Sequence, residues 1–60
     1  MTPKELIKIL EANGWVQERS KGSHAIFKHP TNPALAVVPI HKKDMKIGTV
    51  NQILKMAGLK

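Results

Sequence analysis

The chain has no cysteine and no tyrosine, a single tryptophan, a single phenylalanine, and only four acidic residues among sixty. Without cysteine there is neither a disulfide nor a thiolate metal site, so the fold rests on packed secondary structure alone, and a reducing compartment is expected. With two aromatics, Trp15 and Phe27, both at positions better suited to core packing than to base stacking, no stacking platform for single-stranded bases is expected. The longest apolar run, Ala34 to Ile40, is seven residues long and broken by Pro39, far short of the roughly 20 that a membrane-spanning helix needs. A cytoplasmic protein without membrane contact is therefore predicted. A chain of this length buries only about 60% of its unfolded surface, which predicts a single domain over residues 1–60 with one layer of core.

What the sequence does have is positive charge, ten Lys or Arg for a net charge of +6. Its distribution is uneven. Residues 1–20 balance Lys4, Lys8 and Arg19 against Glu5, Glu11 and Glu18, whereas residues 21–60 carry seven lysines against Asp44 alone. A neutral beginning followed by a one-signed basic stretch is the pattern of a polyanion binder, with nucleic acid as the leading partner.

Thr2-Pro3-Lys4-Glu5 combines an N-cap hydroxyl, a proline at the first helical position and a capping-box glutamate. A helix is predicted from Pro3, with Leu6, Ile9, Leu10 and Asn13 along one stripe, widened by Ile7, until Asn13-Gly14 stops it. Beyond Gly14, Trp15–Arg19 and His24–Lys28 read as short strands separated by a Ser20-Lys21-Gly22-Ser23 turn. Pro30-Thr31-Asn32-Pro33 reads as a second turn, and Leu35–Val38 as a third strand. The segment His41–Lys46 is polar and basic. Ile47, Val50, Ile53, Leu54 and Ala57 then mark a second helix ended by Gly58. The predicted fold is α+β, an α-β-β-β-α order with a three-stranded antiparallel sheet and two helices on one face. Alternation through Ala25, Ile26 and Phe27 predicts His24 facing outward, Phe27 in the core, and Ile26 exposed or covered by a partner.

With no cysteine and few carboxylates, His24, His29 and His41 are the candidate proton-transfer groups. Each also reads as an ordinary surface or strand histidine. His24 stands apart because it follows Lys21-Gly22-Ser23, where an ammonium, a hydroxyl and backbone amides meet at a glycine that admits a phosphate. The same residues equally form a plain hairpin. Lys42, Lys43 and Lys46 lead into the second helix and suit salt-sensitive phosphodiester contact. The histidine spacings match no common metal-ligand pattern, so no metal and no cofactor are predicted.

The co-linear set Leu6-Ile7-x-Ile9-Leu10-x-x-Asn13-Gly14-Trp15, Lys21-Gly22-Ser23-His24, Phe27-Lys28-His29-Pro30, Val38-Pro39-x-His41, and Lys46-Ile47-Gly48-Thr49-Val50 with Ile53-Leu54-Lys55-x-Ala57-Gly58-Leu59 resembles the HicA toxins of toxin-antitoxin modules. The resemblance covers essentially the whole chain. It implies a double-stranded-RNA-binding-domain-like fold used by a messenger-RNA interferase, a metal-independent endoribonuclease that arrests translation and growth. It implies His24 as the catalytic residue, with Gly22 and Ser23 aligned beside it. It further implies a HicB-like antitoxin as partner, through which any DNA contact of the module is made.

In the expected chemistry His24 takes the proton of the ribose 2′-OH as that oxygen attacks the adjacent phosphate. Lys21, Gly22, Ser23, Lys28, Lys42, Lys43 and Lys46 are the candidate RNA and phosphate contacts. His29, His41 and water all remain open as the acid that protonates the leaving oxygen. A non-catalytic RNA-binding module of the same fold is the alternative, and a purely protein-binding domain ranks behind both.

Overall fold

The N-terminal start signals act as their chemistry dictates. In the computed structural model, which describes residues 1–60, helix α1 runs Pro3–Ala12. The Thr2 hydroxyl accepts the Glu5 amide at 3.2 Å and the Thr2 amide donates to the Glu5 carboxylate at 2.9 Å, a reciprocal capping box. The bond from the Thr2 backbone, then that from its side chain, hold the Glu5 carboxyl below its ordinary range. Gly14, at φ 90°, supplies the left-handed residue that ends the helix.

Three antiparallel strands follow, β1 (Val16–Lys21), β2 (His24–His29) and β3 (Asn32–Pro39), ordered β1-β2-β3. The strands are longer than the sequence predicts. Ser20 and Lys21 belong to β1, and Asn32 and Pro33 to β3, so the turns shrink to Gly22-Ser23 and Pro30-Thr31. Gly22 alone takes a positive φ, 58°, and one such glycine at the first central position suffices for a two-residue hairpin turn. Pro33 is tolerated because β3 is an edge strand whose register shifts between Phe27 and His29, where no regular ladder needs its missing N–H.

Helix α2 (Ile47–Met56) completes the helix-strand-strand-strand-helix order. Leu6 and Leu10 of α1 and Val50 and Ile53 of α2 join Ala25, Phe27, Ala36 and Val38 of the sheet in one core cluster with Trp15, Met45 and Ala57. Both helices therefore lie on the same face of the sheet. The arrangement is the double-stranded-RNA-binding-domain-like α+β fold. Phe27, Leu6 and Leu10 are fully buried, each contributing about 1.5–3 kcal/mol from removal of apolar surface from water. No helix is long and apolar enough to cross a membrane.

Two apolar positions depart from expectation. Ile47 is 70% exposed, because it is the first residue of α2. The core takes Met45 instead, drawn in from the segment read as polar by its amide bond to the Met1 carbonyl at 2.8 Å. Ile26 is only 7% exposed yet lies outside the core cluster. It sits on the helix-free face in the central strand, where Arg19 and Val37 flank it across both ladders.

Candidate active site

His24 opens β2 directly after the Gly22-Ser23 turn, paired with Lys21 on β1 and Pro39 on β3. Phe27 and Ala25 point into the core, and His24 is exposed, as the alternation predicts. Its imidazole takes part in none of the side-chain hydrogen bonds of the chain. A Cβ placed on Gly22 would meet nothing within 4 Å, so the space above the turn is open to an incoming ligand.

The charge around His24 is set by the register of the β1–β2 hairpin. Gln17 pairs with Phe27, but Arg19, not Glu18, pairs with Ile26. The extra residue shifts every later β1 side chain to the other face. Counted from the Gly22-Ser23 turn, Lys21 falls beside His24 and Arg19 beside Ile26, and the bulge at Glu18 brings Gln17 rather than Glu18 opposite Phe27. The helix-free face thereby carries Arg19, Lys21, His24 and Lys28 with no carboxylate in register among them. Lys28, four residues along β2, lies roughly 13 Å from His24, beside Val16.

The segment after β3 is tied to the same end of the sheet. The Ile40 amide donates to the Ser23 carbonyl at 2.8 Å, and the following residues carry exposed Lys42, Lys43 and Lys46. Asp44, the one acidic residue of that segment, is occupied by the Met1 ammonium at 2.8 Å. That hydrogen bond holds the Asp44 carboxyl below its ordinary range and raises the amino group above its own. The three lysines have no ion-pair partner. Lys46 is the backbone N-cap of α2, without a side-chain cap and without an acidic residue in the first turn, so the amides there add to a positive field.

A family model described as HicA toxin of bacterial toxin-antitoxin matches residues 3–59. The chain belongs to the HicA toxin family. No curated protein matches it. The matched stretch of this HicA toxin includes both ends of the sheet, and the second end was missed in the sequence. There, the Thr31 amide donates to His29 Nδ1 at 3.1 Å, so Nδ1 is an acceptor, and Nε2 carries the proton that it gives to the Asn13 carbonyl at 3.0 Å. The imidazole also lies against the Trp15 indole, with ring centroids 5.2 Å apart. Gly14 makes this clasp possible, since a Cβ there would come within 2.9 Å of His29 Nε2. The only signal for it in the sequence was the spacing of Asn13, Gly14 and Trp15 from His29, which carries no cross-strand information by itself.

The concavities of the HicA toxin also lie at the His29 end, one lined by Asn13, Trp15, His29, Thr31, Ala57 and Leu59 among others, a second by Val16, Lys28, His29 and Pro30. His24 instead is exposed and lines neither of them. An open cationic surface suits an extended polymer, whereas small molecules are held in clefts.

Proposed function

We propose that this HicA toxin is a metal-independent endoribonuclease acting on messenger RNA, with His24 as the general base. The observation that carries the reading is an exposed imidazole, free of internal hydrogen bonds, with Lys21 paired beside it and Arg19 two residues further along the same face. RNA supplies its own nucleophile. His24 takes the proton from the 2′-OH, the 2′-oxygen attacks phosphorus, and the 5′-oxygen leaves, giving a 2′,3′-cyclic phosphate and a 5′-OH end. Lys21 beside His24 and the amides of Gly22 and Ser23 stabilise charge on the non-bridging oxygens. Lys42, Lys43 and Lys46 hold the flanking phosphates, and Lys28 extends the track along the sheet. Such work on messenger RNA belongs in the cytoplasm.

The partner in this reading is a HicB-like antitoxin seated over the helix-free face. Val37, 41% exposed, flanks Ile26 there, with Leu35, 43% exposed, two residues before it on β3, among Arg19, Lys21 and Lys28. An apolar stripe edged by cations fits an acidic chain with its own apolar side chains. Covering that face covers His24, and toxicity stops.

The test is incubation of the protein and of His24→Ala with a long unstructured RNA in EDTA, followed by an assay for cyclic phosphate ends. The parent cleaves and leaves cyclic ends, while the variant binds RNA but is slower by about 10²–10⁴-fold. Undiminished cleavage by His24→Ala overturns the role of His24. RNA binding without cleavage by the parent moves the protein to the class of non-catalytic RNA-binding modules.

A further inference from the structure

We propose that His41 is the general acid of this reaction, donating the proton to the leaving 5′-oxygen. The inference rests on the ribonuclease reading above and deepens it. Transesterification needs a second proton transfer, and the chain offers only two further histidines. The structure separates them by position and by bonding.

His29 ends β2 and pairs with Asn32, so it stands five residues from His24, roughly 16 Å along the strand. Both of its ring nitrogens are engaged, with Thr31 and Asn13. A group so placed and so bonded reaches no phosphate beside His24.

His41 has the opposite surroundings. Pro39 pairs with His24, and the bond from the Ile40 amide to the Ser23 carbonyl carries the register one residue further. His41, in the turn that leaves β3, is the second residue past Pro39 at the same end of the sheet as His24. Cα atoms paired across a ladder lie about 4.5–5.5 Å apart and two residues of chain span at most about 7 Å, so the Cα atoms of His24 and His41 lie within about 13 Å of each other. That separation leaves room for a phosphodiester between two imidazoles. His41 is exposed and, like His24, takes part in no internal side-chain hydrogen bond. Gly22, two residues before His24, contributes no side chain, and the space above it is clear.

The step balances. Neutral His24 accepts the 2′-OH proton as the bond from the 2′-oxygen to phosphorus forms. The bond from phosphorus to the 5′-oxygen breaks, and protonated His41 gives its proton to that oxygen. The products are a 2′,3′-cyclic phosphate and a 5′-OH, with His24 protonated and His41 neutral. Exchange with water resets both. The entering and leaving oxygens lie on opposite sides of the phosphorus, so two groups flanking it serve the two transfers better than one.

The experiment compares the parent, His24→Ala, His41→Ala and His41→Gln on two oligoribonucleotides spanning a cleavage site mapped with the parent. One is ordinary RNA. The other carries sulfur in place of the leaving 5′-oxygen at that site, a thiolate that departs without protonation. On ordinary RNA both His41 variants are expected to lose about 10²–10⁴-fold in cleavage rate with RNA still bound. On the sulfur substrate they are expected to return to within about tenfold of the parent, while His24→Ala stays slow. Parent-like cleavage of ordinary RNA by His41→Ala overturns the proposal and leaves the ribonuclease reading standing. Equal losses on both substrates also overturn it, making His41 a positioning residue. Failure of the parent to cleave either substrate removes the ribonuclease reading, and this proposal with it.

Discussion

Strand β2 begins and ends with a histidine, and its two ends have opposite chemistry. At the His29 end every polar group of the ring is used, the indole of Trp15 covers one side, and Gly14 and Thr31 shape the surroundings. At the His24 end the ring has no internal partner, and the turn before it leaves open space. The same side chain is thus a structural clasp where its hydrogen-bonding capacity is consumed by the fold, and a candidate reagent where that capacity is left for a ligand. Satisfied polar groups stabilise, and only unsatisfied exposed ones are free to bind or transfer protons.

Two glycines, Gly14 at the end of α1 and Gly22 in the β1–β2 turn, test this contrast most severely. Gly14→Ala places a Cβ 2.9 Å from His29 Nε2 at φ 90°. Left-handed backbone costs a non-glycine residue roughly 1–2 kcal/mol, and the displaced His29–Asn13 bond adds about 1 kcal/mol. A total of about 2–3 kcal/mol lowers Tm by more than about 10 °C in a domain of this size. Gly22→Ala has the same kind of strain, at φ 58°, but meets nothing within 4 Å, so about 1–2 kcal/mol is expected. Thermal denaturation followed by circular dichroism measures both. Equal losses at the two glycines would mean that the clasp contributes nothing beyond backbone strain.

Much of this architecture was legible in the sequence, and the exceptions share a cause. The capping box at Thr2, the stop at Gly14 and the inward side of Phe27 follow from local chemistry or from alternation within one strand. The bulge at Glu18, the burial of Ile26 and the clasp of His29 depend on what lies across a ladder. Residues on a neighbouring strand are invisible to local periodicity, and one extra residue reverses every later side chain. For that reason Gly22, Ser23 and His24 were identifiable as a group from their adjacency. The two-residue turn likewise sets Lys21 beside His24, whereas the return of Gln17 opposite Phe27 depends on a bulge that no local signal announces. Lys28 was grouped with the other cations, yet it stands at the distant end of the face, beside Val16.

Exchanging the two histidines for alanine should separate stability from activity in a crosswise manner. His29→Ala removes the bonds to Asn13 and Thr31 and the packing on Trp15. Because the groups left behind can reach water, the loss is about 1–2 kcal/mol, read as a fall in Tm, with cleavage by the folded fraction retained. His24→Ala leaves Tm in place and removes cleavage. A Tm drop shared by both variants, or an activity loss shared by both at a temperature where each is folded, would erase the distinction between the two ends.

The smallest effects concern the lysines, and they locate the RNA rather than the chemistry. Lys42, Lys43 and Lys46 follow the strand end nearest His24, whereas Lys55 lies in the last turn of α2. Each of the first three, changed to glutamine, should flatten the dependence of log Kd on log salt by about 0.7, the value for one single-strand phosphate contact. Lys55→Gln should leave the slope unchanged. Binding is measured by anisotropy of a labelled oligoribonucleotide on a His24→Ala background, which prevents its destruction. None of the four substitutions should move Tm, because all four side chains are exposed and none is ion-paired. A slope that falls as far for Lys55→Gln as for Lys43→Gln would make the positive field a property of the whole molecule, and the His24 end would lose its claim to be where RNA binds.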